Sequence, residues 1–431
     1  MMALRDFIDL KHRLCLVADD LDWGMLETEL GKYYCEDNGC PGKPIRLMAG
    51  LLYLKSVYEL SDEDVLSSLR ENPYQQYFCG FVYFQKDIDL DSSSLTRFRK
   101  RLGEAGLDLL NKAILDRAIE HKYLKSRQLS RVNIDTTVMS KAIKYPTDVD
   151  LYHDMLRILV RKAKSEGTEL RQSYKRVSKE ELFYYKREAH RRQFKKAARH
   201  KRRLRTYLGR VTREIERKLE EPDEEWGRLL TLSKRILSQT KDSHDKVYSV
   251  FEPHVYCVNK GKSSPKYEFG SKVAVVTTIK DSWVVGVHTM VRNEHDSKAL
   301  EPALESMKLL TGRRPDYAVV DRGCRGRTKI GETEIIIPKP KRELSRKVFE
   351  WVKERSRIEA VISHLKNDHQ MGRNLLKGVL GDLLNPKLSA MGWNLKKLMR
   401  KLLFVLKIIL RILKINTQNL PISPSLQPLD A

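Results

Sequence analysis

Apolar positions along the first 125 residues recur at helical spacing. From Pro44 the run IRLMAGLLYLKSVYELS keeps a helical period, and Ser61 then opens SDEDVLSSLREN. Ser61 and Asp64 stand as an N-cap and its N3 partner, with Asp in place of the usual Glu. Two helices joined by the short YELS turn suit a helix-turn-helix, and they suit a plain helical hairpin equally well. A further helix is predicted from Ser92, SSSLTRFRKRLGEAGLDLLNKAI, in which Arg97, Arg99, Lys100 and Arg101 make one stretch basic.

Beyond residue 125 the pattern changes to short runs rich in β-branched residues and bounded by turn signals. These are 132–137 (VNIDTT), 272–279 (KVAVVTTI), 283–291 (WVVGVHTMV), 317–320 (YAVV) and 334–337 (EIII). Only Lys280, Asp281 and Ser282 separate the second run from the third, so these two are predicted to form an antiparallel hairpin. Helical stretches are predicted at 296–310, before the fourth strand, and at 345–366, after the fifth.

This order predicts an α/β fold, a ribonuclease H-like domain whose first strand is followed by a long excursion. The excursion is visible at 151–245, which is strongly helical and holds no strand candidate. Within it, 186–210 carries twelve Lys or Arg against a lone Glu188. A charge run is usually a solvated face. At this density, neighbouring cations repel unless a polyanion neutralises them, which points to DNA contact through residues such as Lys195, Lys196, Arg202 and Arg203.

Composition agrees. The chain has 431 residues, 41% hydrophobic and 32% charged, which fits a globular protein with a sizeable core. Its 82 Lys and Arg exceed its 57 Asp and Glu by a net +25, and the natural partner of such a surface is nucleic acid. The six cysteines form no CxxC pair, so neither a disulfide framework nor a zinc ribbon is expected. The opening MMALRDFIDLKHRLCLVADD carries charges throughout and does not read as a secretory signal, so an intracellular protein is expected. Residues 395–415 (LKKLMRKLLFVLKIILRILKI) hold seven basic residues and no apolar run near the roughly 20 residues of a membrane span. An amphipathic helix packed on the domain is the favoured reading.

Three carboxylates fall where such a sheet would bring them together. Asp135 lies in the first strand, Asp321 ends the fourth, and Glu359 lies on the last of these helices, with the first and fourth strands expected as neighbours. An Asp directly after an apolar strand is costly to bury unless it is paired or bound to a cation. Oxygen-only ligands suit Mg²⁺ or Mn²⁺, and two such ions about 4 Å apart serve phosphodiester displacement. Taken singly, each acid reads as a cap or surface group.

The stretches RLMAGLLYLKSVYELSDEDV, NPYQQYFCGF, DSSSLTRFRKRLGEAG, VNIDTTVMSKAIKYPTD, EPHVYCVNKGKSSPKYEFGSKV, NEHDSKALEPAL, DRGCRG and RIEAVISHLKNDHQMGRNLLKG change that weighting. Together they resemble the bacterial insertion-sequence DDE transposases of the family named for insertion sequence five, from about residue 44 to about 413. The resemblance implies metal-dependent cleavage and joining of DNA at the ends of a mobile element, with Asp135, Asp321 and Glu359 as catalytic and metal-binding acids holding two Mg²⁺ or Mn²⁺ ions. Of the family's Tyr, Arg, Glu, Lys signature, Arg355, Glu359 and Lys366 are present, and their helical offsets place them on one face. Val352 stands at the tyrosine position, with Trp351 beside it, and Cys324 stands where relatives often have tyrosine.

The organisation implied is a helical DNA-recognition domain at 1–125, a ribonuclease H-like catalytic domain at 126–416 with the basic helical insertion at 151–245, and a flexible tail at 417–431. DNA-binding residues are expected at Arg355, Lys366, Arg97, Arg99, Lys195, Lys196, Arg202 and Arg203. The expected partners are double-stranded DNA, as terminal inverted repeats and target, and further copies of the chain on that DNA. No membrane is expected, and the place of action is the cytoplasm, at the bacterial nucleoid. The alternative is an inactive or domesticated DNA-binding derivative. Asp296 reads as a helix N-cap, and His364 and His369 are left outside the site.

Overall fold

Residues 2–34, 42–219, 221–259, 266–324, 328–339, 342 and 345–413 are described by the structure, a computed structural model. The helical period of the N-terminal region gives α1 (Leu4–Phe7), α2 (Arg13–Asp20), α3 (Trp23–Gly31), α4 (Ile45–Tyr58), α5 (Asp62–Glu71), α6 (Pro73–Phe78) and α7 (Ser92–Glu120). The anticipated capping box forms: Ser61 Oγ accepts from Asp64 N at 3.0 Å, and Ser61 N donates to the Asp64 carboxylate at 3.4 Å. Helix α4 is buried from Leu47 to Val57, so it is a core helix. Its partner α5 exposes Glu63, Asp64, Arg70 and Glu71, a face with more acid than base. The hairpin is therefore present, and its outer face carries three acids and one base.

The chain then forms β1 (Arg131–Lys141), α8 (Asp148–Ser165), α9 (Lys175–His190), α10 (Phe194–Lys218), α11 (Glu224–Ser238) and β2 (Tyr256–Asn259). It continues through β3 (Tyr267–Thr278), β4 (Val284–Met290), α12 (Leu300–Thr311), β5 (Tyr317–Val319), β6 (Lys329–Ile330), β7 (Thr333–Ile336), α13 (Arg346–Glu354), α14 (Ser356–Asp368), β8 (Arg373–Asn374) and α15 (Gly378–Ile412). The helix expected at 345–366 is thus two helices, broken at Arg355. Two compact units result. One comprises Met1–Met139, Lys272–Met290 and Glu294–Ala431, and the other Ser140–Ser271 with Val291–Asn293.

In the first unit, neighbouring strands run β3-β1-β5-β7-β6, with β4 on β3 and β8 on β1. The predicted hairpin is β3 and β4, antiparallel, with Val275 opposite Val287. The predicted first and fourth strands are parallel neighbours, with Asn133 opposite Val319. Alternation along β1 splits its side chains. Val132 and Ile134 join a core with Ala274, Val276 and residues of α4, α7, α12 and α15, while Met139 joins Val273 and Val275 beneath Ile358, Val361 and Leu365 of α14. The N-terminal helices share that first core, so residue 125 is not a packing boundary. A buried pair, Lys387 Nζ to Asp108 at 2.7 Å, ties α15 to α7. Where α15 crosses α4, only Gly392 fits, since a Cβ there would lie 2.2 Å from the Ser56 carbonyl oxygen.

The second unit is built on α8–α11. Leu204, Leu208, Val211 and Ile215 form one buried stripe of α10 and pack with Met155, Leu156, Leu159 and Trp226. The remaining faces of α10 carry the basic run. No strand occurs among the described residues of 151–245, as expected, and the unit extends further, to a short pairing of β2 with the first residues of β3.

The packing expected of residues 395–415 holds for Leu395, Leu398 and Met399; Phe404, Ile408 and Ile412 of the same helix are exposed. No described helix is long and apolar enough to cross a membrane. The tail expected at 417–431 lies outside the described residues.

Candidate active site

Asp135 sits on β1 because the strand alternates, and its face is the one covered by α14. Asn133, two residues earlier on that face, donates from Nδ2 to the Glu354 carbonyl at 3.4 Å, just before Arg355. The register of β1 with β5 pairs Asn133 with Val319. Continuing it two residues puts Asp135 beside Asp321, on strands about 4.8 Å apart. Glu359 enters from the first turn of α14. Three elements distant in sequence therefore deliver one carboxylate each.

Arg355 stands among them. Its Nη2 lies 3.4 Å from Asp135 Oδ2 and 3.5 Å from Asp321 Oδ1, and its Nη1 lies 3.5 Å from Glu359 Oε1. These are loose contacts, at the outer limit of hydrogen bonding. The guanidinium Nε is buried without a hydrogen-bond partner. Three carboxylates and one guanidinium sum to −2, in a chain of net charge +25. Burial pushes the Asp135 carboxyl above its usual range; Arg355 and the Thr136 amide oppose this, and Asp321 and Glu359 add to it. The acids are splayed around Arg355, and among the described residues no three His, Cys, Asp or Glu side chains form a ready-made metal cluster.

Around this centre several expectations change. Asp296 is not the cap of its turn: His295 caps it, accepting from Ser297 N at 3.3 Å. The Asp296 carboxylate instead takes Thr136 Oγ1 at 2.9 Å and Lys272 Nζ at 2.9 Å, bracing β1 and β3 from the sheet face opposite Asp135. Val352 packs in an apolar cluster with Trp351, Val319 and Ile336, so the position is structural. Trp351 itself is buried, with Arg131 over its ring at 5.0 Å, and is not free to stack on DNA. Cys324 is buried beside the acids, and burial pushes its thiol up to about 11, which keeps it protonated and unreactive. His364 pairs with Asp368 at 2.7 Å. His369 bonds the Ser56 carbonyl at 2.8 Å and is held down to about 4 by burial, so it packs the junction with α4.

Lys366 is two turns beyond Glu359, about 10 Å along α14. It lines a groove of about 920 Å³ together with Lys100, Arg373 and Lys377, over a floor that includes Leu380 and Leu384. The other basic candidates divide. Arg97, Lys195, Lys196 and Arg202 are exposed, Arg97 touching Ser94 Oγ at 3.1 Å. Arg99 is 4% exposed and grips Asp62 with two bonds of 2.7 and 2.5 Å, while Lys55 holds the same carboxylate at 3.1 Å. That side chain fixes α5 to α7 and does not reach outward. Arg203 likewise pairs with Glu181 at 2.9 Å, a carboxylate also bound by His200. The signal missed was the acid at the start of α5, which stands far from Arg99 in sequence and beside it in space.

Residues 2–101 match the family model described as a transposase domain (DUF772). The protein of Rhizobium meliloti described as uncharacterized protein ORF8 in the nfe locus is 44% identical over 187 residues, which cover 43% of this chain and 90% of that protein. No solved structure matches the chain.

Proposed function

The chain belongs to a transposase family, and on that premise we propose that it is a DDE-type DNA transposase of the family named for insertion sequence five. It cleaves the ends of an insertion element and joins them to target DNA. The observation that carries this reading is the convergence of Asp135, Asp321 and Glu359 on Arg355 from two parallel strands and a helix. The adjacency of β1 and β5, with the β3–β4 hairpin at one edge, supports a ribonuclease H-like catalytic sheet.

The donor set fits divalent metal. It is all oxygen, it is net negative, and its most buried member is disfavoured as a bare anion. Asp135, Asp321 and Glu359 would hold two Mg²⁺ or Mn²⁺ ions, which supply Lewis-acid activation of the attacking oxygen and charge stabilisation at the leaving oxygen. The chain's own residues do the positioning. Arg355 stands between the acids before DNA arrives and offers a guanidinium to an incoming phosphate oxygen. Lys366 and its groove take the strand further along α14. The exposed cations of α10 supply sequence-independent affinity. The DNA partners are the element's terminal inverted repeats and the target duplex. The protein acts on the nucleoid in the cytoplasm, as a homo-oligomer. Val352 and Cys324, where the chain departs from the family pattern, fill packing positions and leave every acid in place.

The test is incubation of the purified protein with DNA carrying the element's ends, a target plasmid and Mg²⁺, followed by sequencing of the products. Joined ends are expected with the parent and none with Asp135→Asn, Asp321→Asn or Glu359→Gln, although each variant still binds DNA. Joining at the parental rate in any one of the three would sink the triad.

A further inference from the structure

The second unit contains a cluster of arginines that shares only Arg210 with the basic run at 186–210 and includes no residue of the acidic site. Arg210, Arg213 and Arg217 follow one another at offsets of three and four on α10, on one face, and Arg171 closes the concavity from the segment before α9. The space between them is about 510 Å³. Its one carboxylate, Glu214, is already satisfied. The Arg171 amide donates to it at 2.5 Å and Lys218 pairs with it at 3.1 Å, which together hold it below its usual range. None of the four guanidinium groups forms an ion pair among the described residues.

The pocket is also built. Tyr174 is held at φ +50, in the left-handed region that non-glycine residues avoid, and its ring stacks on Tyr207 at 4.5 Å and 11°. In that position its hydroxyl accepts from Arg210 Nη1 at 3.2 Å. Gly209 leaves room beside the Arg213 guanidinium, which lies 3.2 Å from where a Cβ would stand. Four cations around a single carboxylate that Lys218 already pairs leave an excess of positive charge, whose electrostatic cost an oxyanion reduces.

We propose that this pocket is a phosphate clamp for the sugar-phosphate backbone of DNA. It rests on the reading of the chain as a DNA-processing protein and adds a second contact, centred about 25 Å along α10 from Lys196. The form of the cluster selects a polymer over a single anion. Arg210 to Arg217 extend over about 10 Å of helix, whereas one DNA strand presents a phosphate about every 3.4 Å of its axis.

The experiment uses the full chain and a labelled duplex of arbitrary sequence, in chelator so that no strand is cut, with affinity read by anisotropy across a salt series. Arg213→Gln with Arg217→Gln should lower the slope of log affinity against log salt by about 1.8 and weaken binding roughly ten- to thirtyfold at physiological salt. Arg213→Lys with Arg217→Lys keeps both charges and should restore the slope. An unchanged slope in the glutamine variant overturns the clamp. So does a slope lowered equally in both variants, since charge would then not be the pocket's contribution. Calorimetric binding of inorganic phosphate by the parent, with DNA slopes alike in parent and variants, would mark a free-phosphate site and also overturn it. Slope loss in the glutamine variant, together with a parent that never cleaves DNA, leaves the clamp standing and removes the transposase mechanism instead.

Discussion

Asp135 on β1 and Asp321 just beyond β5 hold equivalent places on parallel neighbouring strands, because Asn133 pairs with Val319 two residues earlier on each. Sheet topology alone therefore sets two like charges side by side. Arg355 offsets part of their repulsion from loose distances of 3.4 and 3.5 Å, and burial keeps the Asp135 carboxyl raised. The site is electrostatically unfinished, which has consequences for stability as well as for chemistry.

Asp135→Asn should raise the thermal midpoint of the metal-free protein at neutral pH. A carboxyl whose folded pKa is raised contributes stability below its unfolded value, near 3.9, and loses it as pH rises through the folded value. At pH 7 the ionised Asp135 is therefore a cost that Asn removes, and the difference should vanish below about pH 4. Adding Mn²⁺ should raise the midpoint of the parent and not of the variant. A variant less stable than the parent at pH 7 would show that Arg355 outweighs burial.

Arg99 and Arg97 look alike in sequence and should behave in opposite ways. Arg99→Ala leaves Asp62 with Lys55 alone and should cost about 2–3 kcal/mol, read as a clear drop in denaturation midpoint. Arg97→Ala, on an exposed position, should stay within about 0.5 kcal/mol of the parent and weaken DNA binding only. Equal stability losses in the two would contradict the burial of Arg99.

These two residues show what the sequence carried and what it did not. Periodicity gave the hairpin of β3 and β4, the helical character of 151–245 and the Ser61 capping box, because each is decided by neighbours in the chain. The acids were singled out through the family resemblance, because each alone reads as a cap or surface group. What was not legible depended on distant partners. Asp62 reaches Arg99, Glu181 reaches Arg203, and Thr136 reaches Asp296, each across a separation no local pattern encodes. Packing across residue 125 is of the same kind: α4, α7 and α15 share one core with the sheet.

Charge removal on α10 should separate contact from support. Lys195, Lys196 and Arg202 changed together to Gln should flatten the salt dependence of DNA affinity by about one unit per lost contact, with an unaltered thermal midpoint. Arg203→Gln should instead lower the midpoint, because it leaves Glu181 with His200 alone. A triple variant with the parental salt slope would make that stretch a solvated face.

Gly392→Ala should destabilise the first unit by about 1–3 kcal/mol or more. The added methyl meets backbone, the Ser56 carbonyl at 2.2 Å, and also the His369 ring at 2.8 Å, so no side-chain rotation relieves it. Because His369 follows α14, the crossing of α4 and α15 should also shift the Glu359 helix, and cleavage should fall along with stability. A midpoint equal to the parent's would mean that α15 can slide.

Arg355 offers the sharpest test of how the acids are used, because two readouts should move in opposite directions. If the three carboxylates bind cations, the guanidinium at their centre competes for the same oxygens, and Arg355→Ala should tighten Mn²⁺ binding measured on the full chain without DNA. Phosphate positioning is lost with the same side chain, so strand cleavage should fall by about tenfold or more. Arg355→Lys restores a point charge without the planar fork and should recover little of the cleavage, while weakening Mn²⁺ again. A purely structural Arg355 predicts a different pattern, with both readouts falling together as the junction of α13 and α14 loosens. Weaker Mn²⁺ binding in Arg355→Ala would therefore place the residue in support of the fold and remove it from the chemistry.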